Sequence, residues 1–467
     1  MNYFDYIVNF IAIIAVGFYS ISVLQWYNYK IDRVITKFVK YEWHILYFIL
    51  PIATYYLATK FYWIYLFFGV IPALVIWYKK LDKPLVFTDR VKRFFALLIF
   101  LTLISYVFDY YFHTKHGVFL PIVLAIIGSE IIERIIFNGY KKKAKEKLEL
   151  LNPKIIAITA SYGKTSIKNY LYQLLDERFN CYKTPRSVNT LKGIVADINS
   201  NLDNVDIYIV EAGAREKGDI KEIVEFLENE YAIIGKIGPQ HIEYFKTIEN
   251  IIETKKEILL SPKLQTAISY DIEDTIMIKD KISNINANLD GIEWDLEYNG
   301  EKIHLYAPIL GSFNAINISL CFYMAKEFNL DNEYLIRKIA KLSPIPHRLQ
   351  KIEANGKLII DDSFNGNIEG MLESIELVKN YQGRRVIITP GLVESTKELN
   401  EKLAKEINEV FDIVIITGSL NRKILWDNID KPNKIYLADK SKLEKILADN
   451  TKVGDLILFS NDAPSFI

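Results

Sequence analysis

Along the first 140 residues the hydrophobic positions form long blocks rich in Phe, Tyr, Ile and Leu, with charges gathered between them. Blocks at 6–26, 43–58, 62–78, 94–112 and 117–137 predict helices. Crossing a hydrocarbon core takes about 20 residues, so the first, fourth and fifth are long enough, while the second and third are short and could form one hairpin. From Pro153 the pattern changes: short apolar runs alternate with amphipathic stretches, which predicts α/β layers around mainly parallel sheets. Strands are expected at 155–158, 206–210, 232–237, 357–361, 385–389, 412–417 and 455–459. Helices are expected at 164–178, 191–202, 315–328, 368–381 and 396–410, and the stretch 262–308 reads as β-rich but weakly patterned. Pro344-Ile-Pro-His-Arg348 breaks the periodicity and marks a domain joint. The expected fold class is multi-domain, an N-terminal α-helical transmembrane region (1–150) followed by two α/β domains, central (151–343) and smaller C-terminal (344–467).

Charge sharpens this picture. The 57 basic and 57 acidic residues cancel, so bulk electrostatics implies neither a nucleic-acid partner nor an acidic tail. Their placement is uneven: 27–42 holds four basic residues (Lys30, Arg33, Lys37, Lys40), 79–93 six and 138–147 five, whereas the turns 59–61 and 113–116 hold one each, Lys60 and Lys115. This alternation predicts five crossings of the inner membrane with the N-terminus outside and everything after Asn138 in the cytoplasm. No basic region precedes the first block, which argues against a signal peptide. Asp109, Glu130, Glu133 and Arg134 lie near block ends and read as pairing groups rather than a transport path, Glu130 and Arg134 being four apart. The basic run 141–147 reads as a stop signal touching membrane lipid headgroups. Cys181 and Cys321 can form neither a disulfide framework nor a metal site by spacing.

The chemistry begins at Ala157-Ile-Thr-Ala-Ser-Tyr-Gly-Lys-Thr165, where a strand passes through a tight loop into a helix. Such a loop points backbone N–H groups and a helix N-terminus at an anion; Lys164 can reach nucleotide phosphates and Thr165 can hold Mg²⁺. The match is partial, since Ile158 stands where the generic loop has Gly, and an ordinary strand-to-helix turn is the competing explanation. Glu211 ends the strand 206–210, the position of a metal carboxylate in a sheet that also presents a phosphate loop. A solvated strand-end acid is the competing explanation. His241 after the next strand, and the lysines of Glu253-Thr-Lys-Lys-Glu257, taken singly read as structural and as a solvated face.

In order, these segments resemble the Mur ligase family, ATP-dependent enzymes of peptidoglycan peptide synthesis, over 152–467. Thr159-Ala-Ser-Tyr-Gly-Lys-Thr165 is similar to the family's T-G-x-x-G-K-T, with Ala160 replacing a glycine, which predicts negative φ at Ala160. The resemblance implies ATP binding by Thr159, Ser161, Tyr162, Gly163, Lys164, Thr165 and Ser166, with Asn314 at adenine and Arg348 and Asp362 closing from the C-terminal domain. It implies two Mg²⁺ ions, with Thr165, Glu211, His241 and a carbamylated Lys255 as ligands, and Lys164, Glu211, His241, Lys255 and Arg348 as the catalytic set. Asp361-Asp-Ser-Phe-Asn-Gly-Asn367 resembles the signature of the member that joins D-alanyl-D-alanine to UDP-N-acetylmuramoyl-tripeptide through an acyl phosphate. Substrate contacts then fall to Ser187, Asn189, Thr190, Asn365 and Asn367. Soluble members carry a uridine-binding domain where this chain has its apolar blocks, and tethering there implies membrane enzymes of lipid-linked precursor synthesis as partners. Two alternatives remain open: a membrane-bound amide ligase of the poly-γ-glutamate type, and a non-catalytic membrane-tethered nucleotide-binding protein.

Overall fold

The structure, a computed structural model, describes residues 3–36, 40–81, 84–112, 119–186, 188–239, 245–364, 366–393, 395–430 and 433–461. Lys37, Lys83, Lys115, Ser187, His241 and Asn365, which the sequence singled out, lie outside the described residues. The chain divides into two compact units, 1–141 and 142–467.

In the first unit, Tyr3–Trp26 and Asp89–Phe112 are continuous helices of 24 residues. The stretches 41–57 and 62–79 are each interrupted by a π-turn, at Ile45–Ile49 and Leu66–Val70. A proline opens the segment after each turn, Pro51 and Pro72. Its ring lacks an N–H and crowds the carbonyl one turn back, and the widened turn relieves the clash. Three helices among the described residues are long and apolar enough to cross a membrane by length and composition, Tyr3–Trp26, Tyr62–Lys79 and Asp89–Phe112, where five were expected. The described part of the 117–137 block, from Phe119, belongs to Phe119–Leu151, a helix of 33 residues whose apolar part carries Glu130, Glu133 and Arg134.

One expectation fails here for reasons of packing. Glu130 pairs with Arg90 at 2.7 Å, not with Arg134, and Glu133 pairs with Arg93 at 2.6 Å. Arg90 and Arg93 stand one turn apart on their helix, as do the glutamates on theirs, so neighbouring helices satisfy both charges in register. In the basic run, Lys145 pairs with Glu228 at 2.8 Å and Lys147 Nζ donates to the Ile198 carbonyl at 3.0 Å, both within the second unit.

Among its described residues that unit holds three sheets. The first is six-stranded and parallel, in the order Cys181–Lys183, Ile207–Glu211, Lys154–Thr159, Tyr231–Ile234, Thr266–Ser269, Ile276–Met277. The weakly patterned stretch contains the last two of these and an antiparallel three-stranded sheet, Ile282–Asn288, Gly291–Tyr298 and Glu301–Ala307. Its alternation is real but short: Ile292, Trp294 and Leu296 face inward, as do Ile303, Leu305 and Ala307. Trp294 is fully buried and its indole N–H donates to Ser319 Oγ at 2.9 Å, on the helix Phe313–Lys326. That helix is apolar nearly all round because it is enclosed by the core.

The third sheet has the order Gln350–Ala354, Lys357–Asp362, Leu456–Ser460, Arg385–Thr389, Ile413–Thr417, Lys434–Leu437, parallel except for its first strand. The antiparallel pair is joined at Asn355-Gly356, both at positive φ, the signature of a two-residue hairpin. The sequence reading passed over that edge strand and the last strand. It also omitted the helices Asp219–Leu227, Asn332–Ile339, Arg422–Asn428 and Leu443–Asn450.

Candidate active site

Sheet register assembles the site. Ile158 lies opposite Glu211 in the parallel pair of strands, and Thr159 lies opposite Ile234 on the other side. The phosphate loop therefore emerges beside Glu211, at the carboxyl ends of the strands, where open α/β sheets bind ligands. Ser161 and Tyr162 N–H groups donate to the Lys236 carbonyl (3.1 and 3.4 Å), and Ser161 Oγ donates to the Gly238 carbonyl at 2.9 Å, which fixes the loop's outer half. Gly163 then turns the chain at φ +82° into the helix Lys164–Leu175, whose first-turn N–H groups face the loop's mouth.

Ala160, the anomalous residue, is not in the left-handed region. Its methyl fits because Gly235 crosses it: a Cβ on Gly235 would stand 2.9 Å from the Ala160 Cβ. Gly163 is the residue that must be glycine, since a Cβ there would meet Asn317 Oδ1 at 2.6 Å. Gly163→Ala should cost about 1–2 kcal/mol for the left-handed backbone alone, with the Asn317 clash added. A lower Tm and weaker ATP binding in a titration are the expected result.

Lys164 Nζ donates to the carbonyls of Ala160 (2.7 Å) and Ser161 (3.2 Å), across the loop it belongs to. Burial lowers its pKa and Glu211 opposes that shift. Thr165 Oγ1 donates to Glu211 Oε2 at 3.1 Å, and Lys168 Nζ lies 3.2 Å from the same oxygen. Thr184 Oγ1 accepts from Glu211 N–H at 3.2 Å and fixes the strand end. Lys255, on the helix Ile248–Lys256, is buried while Lys256 is half-buried. Desolvation first, then the positive charge of Lys164, holds the Lys255 amine well below the usual lysine range, against Glu257, Asp219 and Glu211. Glu257 accepts from the Gly218 and Lys221 N–H groups (2.6 and 3.0 Å) and so caps Asp219–Leu227.

Arg348 lies in the connection between the helix Asn332–Ile339 and the strand Gln350–Ala354. It is flanked by His347 at φ +65° and Leu349 at φ +47°, two side-chain-bearing residues in left-handed backbone. His347 Nδ1 lies 2.8 Å from Asp361 Oδ2, Leu349 N–H donates to Asp362 Oδ1 at 3.2 Å, and Ser363 Oγ donates to Asp361 Oδ1 at 2.5 Å. Asp361, Asp362 and Ser363 thus hold the turn that presents Arg348. Burial lowers the guanidinium's pKa, opposed first by Asp362 and then by Glu211.

The remaining expected residues divide. Asn314 is buried, donating to the Leu310 carbonyl at 2.8 Å and accepting from Asn317 Nδ2 at 3.0 Å. Tyr162 lies near Glu369 and its hydroxyl is pushed up to about 12, chiefly by burial. Ser166 is buried in the first helical turn. Asn189 uses its carbonyl to accept from Gly213 N–H at 2.8 Å. Thr190 and Asn367 are N-caps of Leu191–Asn201 and Ile368–Val378, accepting from Gly193 N–H at 3.4 Å and Gly370 N–H at 2.8 Å. Sequence reasoning missed Lys168, Thr184, Glu257 and Asn317. Lys168, one helical turn after Lys164 on the same face, had a local signal; the others had none.

The site therefore gathers Lys164, Lys168, Lys255 and Arg348 near Glu211, cationic groups suited to a polyphosphate, with Glu257 and Asp219 beside Lys255 and Asp362 beside Arg348. Thr159 Oγ1 is buried at the loop's entry with no partner, a polar atom in want of a ligand. Among the described residues no three His, Cys, Asp or Glu side chains gather as a cage. The Thr165 hydroxyl and Glu211 carboxylate suit Mg²⁺ all the same, because that ion is commonly held by one or two carboxylates together with substrate phosphates.

Residues 158–277 match the Mur ligase middle domain. The UDP-N-acetylmuramoyl-tripeptide–D-alanyl-D-alanine ligase of Bacillus subtilis is 24% identical over 347 residues, 69% of this chain and 76% of that relative. The Escherichia coli ligase of the same name is 23% identical over 263 residues, 52% of this chain and 58% of that relative. The crystal structure of the MurF ligase of Thermotoga maritima in complex with ADP superposes with TM-score 0.60 at 26% identity, covering 70% of this chain and 80% of that one. These findings correct one expectation. The homologous ligases are soluble cytoplasmic enzymes, and helices of sufficient length and composition do not by themselves place a bilayer around this chain, so the multi-pass inner-membrane location is withdrawn.

Proposed function

We infer from this site, in a chain that belongs to the Mur ligase family, that the protein is an ATP-dependent ligase joining D-alanyl-D-alanine to UDP-N-acetylmuramoyl-tripeptide in peptidoglycan precursor synthesis. The observation that carries the reading is the 3.1 Å contact of Thr165 with Glu211 at the mouth of the phosphate loop. It joins the residue that follows the phosphate lysine to the carboxylate of the adjacent strand, beside the buried Lys255. In this reading 151–343 is the ATP-binding domain and 344–467 the domain that closes on it.

A carboxylate has no usable leaving group, so amide formation needs activation. The terminal carboxylate of the tripeptide attacks the γ-phosphorus of ATP and ADP leaves, giving an acyl phosphate. The amine of D-alanyl-D-alanine then attacks the acyl carbon, its proton passes to solvent, and inorganic phosphate departs. Such transfers run mainly on positioning and charge neutralisation. Lys164 exchanges the carbonyls of Ala160 and Ser161 for β/γ-phosphate oxygens. Thr159, Ser161, Tyr162, Gly163 and Ser166 line the phosphates, Asn314 meets adenine, and Asp362 holds the turn that delivers Arg348 to the transferring group. Thr165 and Glu211 would hold one Mg²⁺, and His241 with a carbamylated Lys255 a second, the ions offsetting phosphate and carboxylate charge when bound. Ser187, Asn189 and Asn365 are the substrate contacts we retain, Thr190 and Asn367 acting instead through the helices they cap.

The test is ADP release by the full-length protein with UDP-N-acetylmuramoyl-tripeptide and either D-alanyl-D-alanine or L-glutamate as acceptor. Release that depends on D-alanyl-D-alanine is expected. Release with L-glutamate alone would assign a different acceptor, and no acceptor-dependent release would remove the ligase reading.

A further inference from the structure

Lys168 has no part in the mechanism above, yet it is among the most completely buried charges of the chain, its side chain 2% exposed beside a Glu211 side chain that is 4% exposed. Its Nζ lies 3.2 Å from Glu211 Oε2 and 3.3 Å from the Pro185 carbonyl. On one side of it, Ile167 and Tyr170 enter the apolar core. Lysine is almost never enclosed this way unless paired. The two charges offset each other, and removing one partner leaves the other buried and uncompensated.

The pairing is unexpected where it occurs. A carboxylate that is to receive a divalent cation already has a cation against it, and two positive groups close to one carboxylate repel. Both described side-chain partners of Glu211, Thr165 and Lys168, sit on Oε2, which leaves Oε1 without a side-chain partner among the described residues. We propose that Lys168 is the resident counter-ion of Glu211, a positioning residue that compensates and aims the carboxylate before the divalent cation arrives. The bond to Pro185 ties this ammonium to the segment 184–189, which is itself joined to the Glu211 strand end through Thr184 and through the Asn189 carbonyl. The inference rests on Glu211 being a cation ligand, as proposed above.

The consequence is a coupling between one lysine and the effect of the cation on stability. With Lys168 present, Glu211 is compensated whether or not Mg²⁺ is bound, so MgCl₂ alone adds little to the melting temperature. In Lys168→Met the carboxylate keeps only the Thr165 hydroxyl as a direct side-chain partner, with Lys164, Lys255 and Arg348 acting at longer range, and Mg²⁺ becomes its contact cation. Thermal melts of the full-length protein, without nucleotide and with or without MgCl₂, should show a lower Tm for Lys168→Met without Mg²⁺ and a rise of several degrees with it. Lys168→Arg, which keeps the charge, should retain the small wild-type rise. A residue that only fills space would lower Tm equally in both conditions, and that outcome overturns the proposal. In Lys168→Met/Glu211→Gln the enlarged rise should vanish; if it survives, Glu211 is not the cation ligand and the functional reading fails at that residue together with the proposal. If Lys168→Met does not fold without Mg²⁺, folding of the double variant under the same conditions supports the inference, and failure of both overturns it.

Discussion

Arg348→Ala should lower kcat by on the order of 10³, the scale of an arginine that stabilises a transferring phosphoryl group, with only a modest fall in Tm from losing the guanidinium beside the buried Asp362. The reasoning starts from backbone strain. His347 and Leu349 both hold left-handed conformations at φ +65° and +47°, a cost of roughly 1–2 kcal/mol for each L-residue. Such conformations persist only where the surroundings over-determine them, and here they do: Asp361 takes the His347 ring, Asp362 takes the Leu349 N–H, and the Phe364 N–H donates to the His347 carbonyl at 3.3 Å. None of these bonds involves the Arg348 side chain, so its removal leaves the turn intact and the loss falls on chemistry. Lysine should not restore the rate, because a planar fork is replaced by a single point of charge. Steady-state kinetics and a thermal melt on the same preparations check this, and an alanine variant with parental kcat would remove Arg348 from the site.

Lys255→Ala is expected to lose activity by on the order of 10²–10³, as when one electrostatic stabiliser of a transition state is deleted, and a short carboxylate such as acetate should restore part of it. A protonated, unmodified lysine here would set another positive charge near Lys164, whereas a carbamate supplies oxygen ligands suited to Mg²⁺. Carbamate forms when a neutral amine adds to CO₂. Burial and the nearby Lys164 favour that neutral form at Lys255. Activity assays with and without added carboxylate decide the matter: an alanine variant with full activity would show that Lys255 has no part in the reaction, and a loss that no carboxylate relieves would argue against the carbamate.

What the sequence determined by itself is the local chemistry. The run from Ile155 to Thr165 declares a strand, a loop and a helix through hydrophobic spacing and one glycine, and Glu211 declares itself by ending an apolar strand. The negative φ at Ala160 also followed from residue type alone. Those features depend on neighbours within a few positions, where periodicity and backbone sterics act. The tertiary structure decided everything that depends on which distant segments meet. Sheet register set Ile158 opposite Glu211 and thereby brought Thr165 and Lys168 to one carboxylate oxygen. Packing of separate helices gave Glu130 and Glu133 to Arg90 and Arg93 instead of to a neighbour on the same helix. The Asp361-Asp-Ser segment, read along the chain as part of a ligand signature, proved to hold the Arg348 turn through a paired strand and a crossing loop. A charge finds its partner through space, and no local pattern encodes a distance that only the folded sheet creates.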